Sequence, residues 1–177
     1  MSDKQLVRGC LQGEVEEFRK IVDKYRGKAM ALALNILGNR EDAEDSCQET
    51  FIQVYRNLEK FDFQMSFRNW LYAILYNRCI DQLRKRRRFY MFFKKMKNEY
   101  FQLTYVQTSN EPKSRTLSQT LFKDLSPKER TTLFLWAKEG YTCEEIANVL
   151  NCSSSTARVH LFKARKKIKA KLEKENV

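Results

Sequence analysis

Glycine and proline are scarce in this chain, at 5 and 2 of 177 residues. So few glycines leave no Gly-rich loop of the kind that cradles a phosphate. Histidine is scarcer still: His160 is alone, which leaves most acid–base schemes and histidine-based zinc sites without their usual groups. The five cysteines, Cys10, Cys47, Cys79, Cys143 and Cys152, are odd in number and contain no CxxC pair. They read as small apolar side chains, not as a disulfide framework or a metal site. No apolar run approaches the roughly 20 residues that span a bilayer, so no stable membrane insertion is expected. The start, "MSDKQLVRGC", lacks an apolar signal-peptide core, and the chain is expected to be cytoplasmic. No metal, cofactor, small-molecule substrate or catalytic constellation is expected, and the chain does not read as an enzyme.

What the sequence does have is positive charge, placed unevenly. The formal net charge is +12. Residues 1–62 hold 10 basic and 12 acidic side chains, residues 84–97 hold 8 basic and none acidic, and residues 126–177 hold 11 basic and 6 acidic. Two basic patches behind a near-neutral front suit a polyanion, most simply nucleic acid; a solvated charged face is the plainer reading.

Apolar residues recur at spacings of three and four, with no convincing alternating strand, so the fold class is all-α. One helix is expected over 14–36, with Val15, Phe18, Val22, Tyr25, Ala29, Leu32 and Ile36 inward. "LGN" at 37–39 stops it, and Asn39 can cap the next helix, whose early Glu41, Asp42, Glu44 and Asp45 suit its positive end. That helix reaches about Leu58, with Ala43, Cys47, Phe51, Val54, Tyr55 and Leu58 inward. After the loop "EKFDFQMS", a third long helix starts near Ser66 and carries Phe67, Trp70, Leu71, Ile74 and Leu83. Residues 98–118 lose periodicity and gain Ser, Thr, Asn and Pro, which marks a flexible linker. The expected organisation is two small helical domains, 1–97 and 119–177, joined by 98–118.

The second domain is punctuated by caps. Ser126, Pro127 and Glu129 form a capping box with proline at the first helical position; Gly140 ends that helix, and Thr142 with Glu145 opens the next. Leu150-Asn151 turns the chain into "CSSSTARVHLFKARKKIKAKL", with Ser153 as the expected N-cap. A short helix, a tight turn and a basic helix make a helix-turn-helix, whose second helix enters the major groove with its N-terminal residues first. Ala157, Leu161, Ala164 and Ile168 form the inward stripe, while Ser154, Ser155, Arg158, Val159, Phe162 and Lys163 lie off it. A cationic C-terminal half also stabilises its own helix, which is the plainer account of the basic residues there.

The first basic patch, "NRCIDQLRKRRRFYMFFKKMK" (77–97), interleaves charge and aromatics. Three readings stay open: single-stranded DNA stacking on the rings, a membrane surface, or a solvated helix end whose phenylalanines complete the core.

Taken together, these residues resemble a bacterial RNA polymerase sigma factor of the extracytoplasmic-function (ECF) type. "EDAEDSCQETFIQVYRNLEKFD" (41–62) resembles region 2.2, "FRNWLYAILYNRCIDQLRKRRR" (67–88) resembles regions 2.3 and 2.4, and residues 125–172 resemble region 4. The resemblance implies three sites. Asp42, Glu44, Asp45, Gln48 and Glu49, beside Phe51, would bind core RNA polymerase. Phe61, Gln64, Met65 and Ser66 of the loop, with Asn77, Asp81, Arg84 and Lys85, would take the melted −10 strand. Ser153, Ser154, Ser155, Thr156, Arg158, Val159, Phe162 and Lys163 would read the −35 duplex. Core polymerase, promoter DNA and an anti-sigma factor are the implied partners. The sequence departs from the family pattern at Phe63 and Ser155, where glycine is usual, and in the run Arg158-Val159-His160. The rival readings are a stand-alone dimeric helix-turn-helix regulator that binds duplex DNA without polymerase, and a membrane-surface adaptor anchored by 84–97.

Overall fold

A computed structural model describes residues 2–100, 122 and 124–175. Among these residues there are seven α-helices and no strand: α1 (Asp3–Leu11), α2 (Val15–Leu37), α3 (Arg40–Arg56), α4 (Phe67–Tyr100), α5 (Pro127–Glu139), α6 (Cys143–Leu150) and α7 (Ser154–Glu175). A single 3-10 turn, Leu58–Lys60, leads into the loop before α4. Of the expected linker, residues 98–100 form the end of α4 and the remainder lies outside the described residues.

The caps fall where the sequence puts them. Asn39 Oδ1 accepts from the Asp42 N–H at 2.8 Å, opening α3. Ser126 and Glu129 bond reciprocally at 3.3 and 2.8 Å, and Thr142 and Glu145 at 3.2 and 2.9 Å. Gly38 and Gly140 end α2 and α5 in the left-handed conformation, at φ 77° and 70°, which a residue without Cβ adopts at little cost. The nine-residue α1 is not among the sequence expectations. Its signal is there in Ser2 and Gln5, another reciprocal box, and Asp3 fastens it to α2 by accepting from Lys24 and the Tyr25 hydroxyl at 2.6 Å each.

Helices α1–α4 enclose Leu6, Val7, Ile21, Tyr25, Leu32, Val54, Phe67 and Leu71. Two residues expected inward, Val15 and Tyr55, are exposed. Val15 begins its helix beyond the reach of a neighbour. Tyr55 lays its ring edge on Phe18, centroids 4.8 Å apart, and leaves the rest in solvent. The core then continues without a break into the second half. Helix α4 packs on α6 and α2 on α5, and Leu135, Tyr141, Ile146, Val149 and Leu150 join the same cluster.

This seam is polar for a buried contact. Tyr72 and Tyr141 stack at 6.0 Å with both rings buried, and the Tyr72 hydroxyl donates to Glu139 Oε2 at 3.3 Å. Lys28 Nζ lies 3.6 Å from the same oxygen. Arg68 sits over the Tyr141 ring at 4.4 Å and pairs with Glu145 at 3.9 Å, while Arg130 donates to the Asn35 carbonyl at 3.3 Å. The Tyr141 hydroxyl, Asn35 Oδ1 and Thr132 Oγ1 are buried without a protein partner. Each such group costs about 1–3 kcal/mol, which weighs against closure of the seam.

Candidate nucleic-acid and polymerase interfaces

Three surfaces carry the residues singled out by the sequence. The first is the outer face of α3. Glu44, Asp45, Gln48 and Glu49 are exposed there. Glu44 holds Arg40 at 2.6 Å and Glu49 holds Arg78 at 3.4 Å, leaving Asp45 and Gln48 outermost. Ile52 and Tyr55, exposed one and two turns on, extend the same face; the sequence reading omitted Ile52 and turned Tyr55 inward. The other two named residues sit elsewhere. Phe51 is only 8% exposed and belongs to the core, so it shapes the face from beneath. Asp42 is committed inside the chain: it accepts from Asn39 Nδ2 at 2.6 Å and Gln82 Nε2 at 2.9 Å and pairs with Arg86 at 2.8 Å. It ties the start of α3 to α4.

The second surface is the loop before α4 and the outer face of that helix. Asp62 organises the loop, accepting from the Gln64 N–H at 2.8 Å through its carboxylate and from the Met65 N–H at 2.9 Å through its carbonyl. Gln64, Met65 and Ser66 consequently point into solvent. Phe61 is buried beneath them, with Phe63, Trp70 and Phe67 at 5.3, 5.2 and 5.5 Å. Phe63 in turn lies 5.5 Å from the Arg8 guanidinium, so α1 buttresses the loop by a cation–π contact. Asn77, Asp81, Arg84 and Lys85 are all exposed, and Asp81 accepts from Arg84 at 3.0 Å. Beyond them Phe89, Tyr90, Met91, Phe92 and Phe93 are exposed as well, with Phe89 and Phe93 in contact at 4.4 Å. These rings therefore do not complete the core: α4 runs past the bundle at that point, and no other helix among the described residues covers them.

The third surface is the helix-turn-helix. Asn151 takes the left-handed conformation (φ 49°), and the Cys152 N–H donates to the Ala147 carbonyl at 3.0 Å, closing α6 in a tight turn. Ser153 then caps α7, its hydroxyl accepting from the Thr156 N–H at 3.1 Å and lying 2.8 Å from the Thr156 hydroxyl. Ala157 and Ala164 are fully buried and set the rotation of α7; Leu161 and Ile168 are half-buried beside them. That rotation leaves Ser155, Arg158, Val159, Phe162 and Lys163 outward, with Ser154 and Thr156 partly covered. Lys167 and Lys171 face the other way: they reach Glu129 at 2.7 Å and Asp124 at 3.0 Å and fasten α7 to the start of α5. Burial pushes the Glu129 carboxyl up, but Lys167 and the Ser126 cap outweigh it and hold the carboxyl below its usual range. Burial, then Lys128, lowers the pKa of His160, so its imidazole is neutral at pH 7 and adds no charge to this face.

No group of three or more His, Cys, Asp or Glu side chains suited to a metal occurs among the described residues, and none of their helices is long and apolar enough to cross a membrane. Cys47 and Cys79 are buried, which pushes their thiols up to about 11 and about 12.

An acidic helix face, a cationic helix beside a structured loop, and a helix-turn-helix with a capped, basic second helix are surfaces suited to a nucleic acid and to a further partner. Comparison with known proteins makes this specific. The family model described as Sigma-70 region 2 matches residues 21–89, and that described as Sigma-70, region 4 matches residues 119–168. The ECF RNA polymerase sigma factor SigW of Bacillus subtilis is 30% identical, covering 97% of both chains. The RNA polymerase sigma-H factor of Pseudomonas aeruginosa is 31% identical over 97% of this chain and 94% of its own. Among solved structures, that of CnrH in complex with the cytosolic domain of CnrY matches with a TM-score of 0.70 and 25% identity, covering 97% of each chain. The sigma factor RpoE in complex with the anti-sigma factor NepR, from Bartonella quintana, shares the fold with a TM-score of 0.71 over 89% of this chain and 98% of its own. The chain belongs to the ECF sigma factors. It binds core RNA polymerase and directs promoter-specific transcription initiation; the stand-alone regulator is not favoured.

Proposed function

We propose that the work of a sigma factor is divided here among the three surfaces. The exposed acids and Gln48 of α3 dock on core polymerase. The loop 61–66 and the outer face of α4 take the melted −10 strand, and α7 reads the −35 duplex. The observation that carries this division is the sorting of side chains by exposure. On the outer face of α3 the exposed charges at Glu44, Asp45 and Glu49 are acidic, while on α4 beyond Asp81 and on the first half of α7 the exposed charges are cationic. The protein supplies binding and strand capture in the cytoplasm, and the bond-making belongs to the polymerase. Residues 1–97 and 119–177 act as the two functional units, with 98–118 between them.

Geometry adds a step. The −10 and −35 labels stand about 25 base pairs apart, roughly 85 Å at 3.4 Å per pair. A compact chain of this length has a radius of gyration of about 16 Å. The closed arrangement does not span that distance, so the Tyr72–Tyr141 seam parts when both elements are engaged. CnrH and RpoE, which share the fold, are in complexes with CnrY and the anti-sigma factor NepR. An anti-sigma factor is the further partner that these complexes support. Run-off transcription with core polymerase tests the reading: the chain directs initiation from particular promoters, and no promoter-dependent transcript would refute it.

A further inference from the structure

Val159 and Phe162 are the exposed large apolar residues of the first three turns of α7; Leu172 lies near its far end. Val159 is 48% exposed and Phe162 68%. Three residues apart, they are neighbours on one face of α7. Exposed Ser155, Arg158 and Lys163 surround them, and Lys166 lies exposed one turn beyond Phe162. The acidic side chains nearest in sequence, Glu145 and Glu173, lie outside this stretch of α7. The surround is thus complementary to a polyanion and poorly suited to a basic or neutral protein surface.

Position along the helix matters. α7 begins at Ser154. At about 1.5 Å per residue Val159 stands within two turns of the capped end, the part of such a helix that reaches base edges. Phe162 stands nearer the groove wall. Valine offers no donor or acceptor. The acceptors of guanine and the amino groups of adenine and cytosine would lose water against it without replacement, which is unfavourable. One major-groove feature is apolar: the thymine 5-methyl group. A β-branched side chain in a helix is also held near one rotamer, so little freedom is lost on contact.

We infer that Val159, with Phe162 beside it, is a specificity-determining residue that reads a thymine 5-methyl group in the −35 duplex. The inference rests on the reading of α7 given above and adds the base and the atom recognised. Burying one methyl group corresponds to about a fourfold gain in binding.

The test uses the holoenzyme formed from this chain and core polymerase, on a promoter selected from a library randomised in the −35 element. The selected element contains a thymine that, replaced by deoxyuridine, loses its methyl group alone. At one position this replacement lowers wild-type affinity about fourfold, and 5-methylcytosine in place of cytosine there recovers a similar factor. Val159→Ala binds the thymine duplex as wild type binds the deoxyuridine duplex, and no longer distinguishes the two. If deoxyuridine is neutral at every −35 position, or the methyl effect persists in Val159→Ala, the inference fails. It fails equally if Val159→Ala weakens polymerase binding and leaves −35 preference intact, since the pair is then a protein contact. Scrambling the whole −35 element separates the two levels: indifference to scrambling overturns the reading of α7 itself, whereas sensitivity to scrambling without a methyl effect overturns the thymine assignment alone.

Discussion

Glu139→Ala isolates the seam between the two halves of the molecule. Glu139 ends α5, yet both its partners lie across the seam: the Tyr72 hydroxyl on α4 at 3.3 Å and Lys28 on α2 at 3.6 Å. Its side chain is 7% exposed, whereas that of Lys28 is 56% exposed. Removing the carboxylate leaves the Tyr72 hydroxyl buried and unpaired, but lets Lys28 rehydrate. A lost hydrogen bond to a charged group at this length, with one rehydrated partner, costs about 1–2 kcal/mol. The closed-to-open ratio should fall by about 5- to 30-fold. Small-angle scattering reads this as a larger radius of gyration. Hydrogen exchange should quicken around Tyr72 in α4 and Ile146 in α6 and where α2 meets α5, with α1 and α3 protection unchanged. In a double-mutant cycle Lys28→Ala should couple weakly to Glu139→Ala and Tyr72→Phe strongly. If Glu139→Ala leaves both the radius and seam exchange unchanged while global stability falls, the carboxylate supports the fold at large, and the opening step loses its basis.

Asp45→Lys with Glu49→Lys should abolish co-purification with core polymerase while helicity persists, because reversal replaces attraction with repulsion; normal co-purification would move the interface off α3. Phe63→Ala removes the ring that Arg8 and Phe61 hold, so it should loosen the loop and broaden preference at one −10 position, read by permanganate footprinting on promoters varied base by base; an unchanged pattern would detach Phe63 from base selection. Glu129→Gln keeps the capping box, as Gln5 does in α1, but loses the charge paired with Lys167, and should cost about 1 kcal/mol at neutral pH. Since the folded carboxyl titrates below its unfolded value near ~4.3, its stabilisation is complete above that value and fades as pH falls through the folded one. Urea unfolding should therefore show the gap between Glu129→Gln and wild type closing in acid, and a pH-independent gap would contradict the assignment.

Much of this was legible in the sequence because caps and turns are local. Asn39, the Ser126–Glu129 and Thr142–Glu145 boxes, and the turn at Asn151 announce helix ends through residues three apart. The rotation of α7 followed from Ala157 and Ala164. Periodicity served less well where a side chain has two natures. Tyr55 counted as apolar but keeps much of its ring in solvent, and Asp42 counted as surface charge but is spent on Asn39, Gln82 and Arg86. The aromatic block at 89–93 left three readings open, core completion among them, because whether a helix continues past its neighbours is a tertiary fact. The seam was invisible for the same reason: Tyr72, Glu139 and Lys28 are far apart in sequence, and no spacing rule brings them together. α1 was missed although Ser2 and Gln5 carried the same box recognised downstream, since nine residues give an apolar stripe little length to declare itself.

The most direct measurement is run-off transcription by the reconstituted holoenzyme on a library randomised separately in its −10 and −35 elements. The account predicts specific initiation, with Gln64→Ala or Met65→Ala shifting preference in the −10 element alone. Arg158→Ala should shift preference in the −35 element alone, and Lys166→Ala should lower output evenly across sequences. Transcripts that ignore both elements, or a loop substitution that alters −35 preference, would contradict it.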